Sequence, residues 1–137
     1  MSERLLLDAT FIAGYLNVRD QHHDAARRCI KLVKEAGEIV ITEAVLIEVG
    51  NHLCSTRQRQ QAAQFIEACF TTANITVVTV DSELLHRALQ FFRNHEDKEW
   101  GLTDCISFVV MHDLKLTAAV SADSDFRQAG FRALMLE

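Results

Sequence analysis

Residues 102–126, LTDCISFVVMHDLKLTAAVSADSDF, leave this chain the fewest ways to fold. The seven residues from Cys105 to Met111 carry no charge and a single hydroxyl. A helix apolar on every side belongs in a protein interior. A break is expected at His112-Asp113, after which the small and β-branched residues from Leu116 to Val120 read as a buried strand closed by Asp123 and Asp125. A buried helix opened by Asp104 and a buried strand ended by Asp123 suit a doubly wound α/β sheet, whose ligands collect outside the carboxyl ends of its strands. Taken singly, each acid is served as well by capping a helix or complementing its dipole. A ligand site there needs further carboxylates from the rest of the chain.

The earlier chain supplies them. Leu5-Leu6-Leu7 reads as a buried strand delivering Asp8 at its end, with Thr10 ahead of a helical pattern through Phe11, Ile12, Tyr15 and Leu16. An amphipathic helix is expected over residues 22–36 with Gly37 as its stop, then a second strand over residues 39–41. Thr42 caps a helix whose apolar stripe is Val45, Leu46, Val49 and Leu53. Glu48 lies at the edge of that stripe, one turn before His52, where partial burial is expected; a surface carboxylate paired with an arginine is the alternative. A helix over residues 57–70, a strand over 75–80, an N-cap at Asp81, a helix over 84–92, a solvated loop over 95–99 and a last strand over 131–136 complete the pattern. Strands alternating with helices imply a parallel sheet covered on both faces.

A chain of 137 residues makes one domain that buries roughly two-thirds of its unfolded surface. The net charge of −5 speaks against coating nucleic acid through overall basicity, although Arg27, Arg28, Lys31 and Lys34 gather in one helical segment. Cys29, Cys54, Cys69 and Cys105 all fall in expected helices without a CxxC pair, so buried free thiols in a reducing compartment are expected rather than a zinc or redox site. Glu3, Arg4 and Asp8 interrupt any signal-peptide core and no run approaches a membrane span, which makes a cytoplasmic, membrane-free protein the expectation. The six histidines are scattered, and His22-His23 at a helix start reads as surface or cap.

Asp8, Glu48, Asp104 and Asp123 therefore stand out by position. Unit charges about 4 Å apart repel by about 4 kcal/mol at an effective dielectric near 20. Such a cluster needs a cation or must hold protons. Carboxylates with few accompanying histidines or thiols suit Mg²⁺ or Mn²⁺, ions that organise attack of water on a phosphodiester. A haloacid-dehalogenase-type phosphatase would need a second acid where Asp8-Ala9-Thr10 has none, and a receiver domain would need a lysine that Ser121-Ala122-Asp123 does not supply.

Four blocks in order, LLLDATFIAGYL around Asp8, AVLIEVGNHL around Glu48, LTDCISFVVM around Asp104 and SADSDF around Asp123, resemble the PIN-domain nuclease family, including the toxin ribonucleases of bacterial type II toxin–antitoxin pairs. The resemblance spans nearly the whole chain. It implies a three-layer α/β/α fold with a central parallel sheet of four to five strands and an Mg²⁺- or Mn²⁺-dependent endoribonuclease. Asp8 and Asp104 would be primary metal ligands, completed by Glu48 and Asp123 directly or through water. Thr10 and Ser121 would be supporting hydroxyls and Asp125 an outer acid. Gly101 stands where the family commonly has serine, and Ser121 where threonine is more frequent. An RNA substrate, a cognate antitoxin and a homodimer are the implied partners. The alternatives are a PIN-like binding module without turnover and a free-standing RNA-processing nuclease without an antitoxin.

Overall fold

The computed structural model describes residues 3–137. Its strands are β1 (Arg4–Leu7), β2 (Glu38–Thr42), β3 (Ile75–Val78), β4 (Ala118–Val120) and β5 (Arg132–Ala133). They form one sheet in the order β3-β2-β1-β4-β5, with every pairing parallel. The helices are α1 (Ala9–Leu16), α2 (His23–Glu35), α3 (Glu43–His52), α4 (Arg59–Thr71), α5 (Ser82–Asn94), α6 (Leu102–Leu114) and α7 (Asp125–Gln128), followed by a 3₁₀ turn, Leu134–Leu136.

Successive side chains of a strand point to opposite faces, and that alternation divides the interior into two cores. Leu5, Leu7, Ile39, Ile41 and Val120 pack with Phe11, Ile12, Ala26, Val49 and Cys69 from α1 to α4. Leu6, Val40 and Ala119 face the other way, onto Ala88, Phe108, Met111 and Phe126 from α5, α6 and α7. The architecture is the three-layer α/β/α sandwich read from the sequence. Residues 105–111 are buried without exception, so α6 is an inner helix. Thr42 accepts the Val45 N–H at 3.2 Å and Asp81 the Leu84 N–H at 2.8 Å, both as N-caps.

Several local expectations fail for identifiable reasons. Helix α6 runs through His112-Asp113 and ends at Lys115, which adopts the left-handed conformation (φ 58°) and donates its N–H to the His112 carbonyl. Gly37 does not stop α2 by a left-handed turn: Ala36 is already extended, and the Gly37 N–H donates to the Glu3 carbonyl at 2.8 Å, leading the chain into the sheet. The last strand is two residues long, because Leu134 and Met135 enter the core on the 3₁₀ turn instead. Cys54 lies beyond the end of α3 and is exposed, whereas Cys29, Cys69 and Cys105 are buried helical thiols as expected. Among the described residues no helix is long and apolar enough to cross a membrane.

Candidate active site

The strand order reverses between β1 and β4, where connections leave for opposite sides of the sheet and open a crevice at the carboxyl ends. Leu7 pairs with Val120 there, so the residues that follow each strand meet. Asp8 is 4% exposed, and its N–H donates to the Val120 carbonyl at 3.3 Å. Its Oδ2 accepts from the Ser121 hydroxyl at 2.7 Å and from the Thr10 hydroxyl at 2.8 Å. The same hydroxyls accept backbone N–H groups in turn: Thr10 from Ala122 at 2.9 Å, Ser121 from Asp123 at 3.0 Å. Asp8 is thereby locked to the backbone that carries Asp123. Burial nonetheless pushes its carboxyl above the ordinary range, against the pull of both hydroxyls.

Asp104 occupies the first turn of α6, and its Oδ2 accepts the Gly101 N–H at 3.3 Å. The capping role offered by sequence is therefore real. Desolvation first, then the charges of Asp8 and Asp123, push the Asp104 carboxyl up to about 7. One carboxylate oxygen each from Asp104, Asp123 and Asp125 lies within 4.8 Å of the others. Asp125 is held in place by its N–H, which donates to Asp123 Oδ1 at 2.9 Å. Burial, and next the charge of Asp123, raise the Asp125 carboxyl as well.

The segment preceding Asp104 is tied to the element carrying Asp125. Trp100 Nε1 donates to Gln128 Oε1 of α7 at 3.1 Å. Edge-on aromatic contacts run from Trp100 to Phe108 (5.1 Å) and from Phe108 to Phe126 (5.0 Å). These fix α6 against α7 and hold their acids together.

Glu48 comes from α3 on the other side of the crevice. Its side chain is more exposed than expected but still partly covered, and it stands at the rim. Local desolvation, followed by the charge of Asp8, raises its carboxyl; His52, a turn later, and the Thr103 hydroxyl oppose that rise. Glu48 lines one cavity with Thr10, whose hydroxyl is bonded to Asp8. Thr103 and His52 were not singled out from the sequence. The signals were their places, immediately before Asp104 and one turn after Glu48.

The donor set suits a hard divalent cation. Oxygens bound to Mg²⁺ at 2.0–2.1 Å are at most about 4.2 Å apart, so carboxylate oxygens within 4.8 Å of one another close on one ion with small rotations. No thiol lies in the cluster, and its acids are the ligand type that Mg²⁺ and Mn²⁺ prefer.

A model of the PIN domain family matches residues 5–132. The chain belongs to the PIN domain family. Two curated relatives, both called 23S rRNA-specific endonuclease VapC20, come from two strains of Mycobacterium tuberculosis. Each is 27% identical over 127 residues, 93% of this chain and 95% of the relative. The crystal structure of Mycobacterium tuberculosis VapC20, described as a sarcin-ricin loop cleaving toxin, superposes with a TM-score of 0.81 at 26% identity, covering 93% of this chain and 95% of that one. The same fold recurs in VapBC2 from Rickettsia felis bound to a promoter DNA fragment, with a TM-score of 0.65 and 14% identity over 95% of this chain and 96% of that one. VapBC-1 from nontypeable Haemophilus influenzae gives 0.62 and 13% over 96% and 98%.

Proposed function

We propose that this PIN-domain protein is a metal-dependent endoribonuclease and the toxin of a toxin–antitoxin pair. The observation that carries the metal-dependent reading is the convergence of Asp8, Asp104, Asp123 and Asp125, with Glu48 at the rim, on the crevice where the strand order reverses. Five acids at one place repel a phosphodiester unless a cation neutralises them. Asp104, Asp123 and Asp125 would hold Mg²⁺ or Mn²⁺ most directly, with Asp8 and Glu48 completing the site. When bound, the ion supplies Lewis acidity and an activated water at the phosphodiester.

The chain's own groups prepare that site. Thr10 and Ser121 both donate to Oδ2 of Asp8 and hold that carboxyl in place. Burial and mutual charge raise the carboxyls of Asp8, Asp104 and Asp125, and a bound cation would favour their ionised forms. A binding module without turnover would have no use for these mutually raised carboxyls, and so the catalytic reading is preferred. The toxin role, and rRNA as substrate class, are supported by the names of the mycobacterial relatives. A homodimer and a cytoplasmic location accord with that role and are part of the proposal.

The test is incubation of the purified protein with ribosomal RNA and with an rRNA hairpin. Discrete cleavage is expected in Mg²⁺ or Mn²⁺ and none in EDTA. Asp104→Asn should fold and lose at least the roughly 10–100-fold typical of changes to groups that merely orient metal ligands. Cleavage that survives EDTA, or a folded Asp104→Asn variant with the wild-type rate, would overturn the assignment.

A further inference from the structure

A cavity of about 220 Å³ adjoins the acidic cluster, lined by Thr10, Glu48, Asp20, Gln21, His22 and His52. Its outer wall is the turn between α1 and α2, and that turn is a rigid one. The Asn17 carbonyl accepts the Asp20 N–H at 2.9 Å, and the Asp20 carbonyl accepts the His23 N–H at 3.0 Å. Asp20 Oδ1 takes the His22 N–H at 2.8 Å. The His23 ring is bonded through Nδ1 to the Gly14 carbonyl of α1 at 2.8 Å. At Gly14 a Cβ would come within 3.0 Å of the His22 carbonyl oxygen, so the absence of a side chain there is what lets the turn lie against α1.

Three side chains on this wall and on α3 are left free of hydrogen-bonding duties among the described residues. Among the described residues, the Gln21 amide and the His22 and His52 rings make no hydrogen bond to another residue. His22 begins α2 without capping it through its ring. A pair of imidazoles and an amide offer flat surface and both donors and acceptors. Asp20 and Glu48 make the cavity unfavourable for a phosphate while leaving acceptors for amino groups. The volume is below the roughly 300–1,000 Å³ of sites for drug-sized ligands and suits a single flat heterocycle. Unpaired RNA bases are bound in this way, stacked on aromatic or histidine rings and read along their edges.

We propose that this cavity is a base-recognition subsite that receives one unpaired nucleobase of the RNA beside the bond to be cleaved, read by Gln21, His22 and His52. The position of that bond rests on the ribonuclease reading; base binding itself requires no turnover. The ordered turn makes the subsite preformed, and Glu48, shared by cavity and cluster, ties the bound base to the reacting phosphodiester.

The experiment measures fluorescence anisotropy of four labelled homohexanucleotides, of A, C, G and U, with the protein in an Asp104→Asn background that keeps the probes intact. One base should bind about tenfold more tightly than the weakest, the scale of one stacked and edge-read base. Gln21→Ala and His52→Ala should each bring the four affinities to within about twofold, with Tm unchanged, while His86→Ala on the exposed face of α5 leaves the preference intact. No base preference, or a preference that Gln21→Ala and His52→Ala leave untouched, would overturn the subsite. A base preference erased by these variants in a protein whose wild type cuts no RNA would keep the subsite and remove the nuclease reading; cleavage with a preference indifferent to them would do the reverse.

Discussion

Replacing Asp104 by Asn should stabilise the metal-free protein by an amount that grows with pH. In the folded protein burial and the charges of Asp8 and Asp123 hold this carboxyl near 7, against an ordinary value of 3.8. A carboxyl that binds its proton more tightly folded than unfolded contributes stability that is fully present below the unfolded value and lost as pH rises through the folded one. At 1.36 kcal/mol per pKa unit, the interval from 3.8 to about 7 is worth about 4 kcal/mol at most. The neighbouring acids titrate together and share that cost, which brings the expectation to about 2 kcal/mol. Asn keeps the volume and can still accept the Gly101 N–H. The contributions of Asp8 and Glu48 act in both proteins and largely cancel in the comparison. Thermal melts in EDTA from pH 4.5 to 8 should show a gap between variant and wild type that widens by roughly 6–10 °C across the window, at about 3–5 °C per kcal/mol for a chain of this length. A gap independent of pH, or one that narrows as pH rises, would refute the convergence of charges on Asp104.

Ser121→Ala removes both the 2.7 Å bond to Asp8 and the acceptor for the Asp123 N–H, so it should cost about 1–3 kcal/mol in urea denaturation and lower the cleavage rate about 10–100-fold. Ser121→Thr keeps the hydroxyl and should restore both. Expression of the wild type alone in a bacterial host should slow growth, Asp104→Asn should not, and co-expression of the neighbouring gene should relieve the arrest. Harmless expression of a protein active in the cleavage assay would point to a free-standing processing nuclease.

Much of the framework was legible because local pattern and global fold agree. The uncharged run from Cys105 to Met111 reads as an inner helix and the three leucines ending on Asp8 as an inner strand delivering an acid, and both are found. The capping roles of Thr42 and Asp81 follow from chemistry that acts within three residues. What was not legible depends on contacts between distant elements. Asp125 reads as an outer acid until Trp100 is seen bonded to Gln128 and Phe108 packed on Phe126, which brings α7 up to the start of α6. The setting of Glu48 depends on how α3, α6 and the turn between α1 and α2 meet at the crevice, which the stripe on α3 alone does not encode. His22 resembles any polar residue at a helix start; only the close approach that Gly14 permits turns its segment into a cavity wall.

The most direct test of a shared metal site is calorimetric titration of Mn²⁺ into the wild type and into the Asp8→Asn, Asp104→Asn double variant. The wild type should show saturable binding, and an ion that binds only the folded state should stabilise it by about 2.7 kcal/mol at 100 times the dissociation constant. The double variant should give little heat and little stabilisation by added ion. Equal titrations for the two proteins would mean that these acids do not hold one ion, and the nuclease assignment would lose its physical basis.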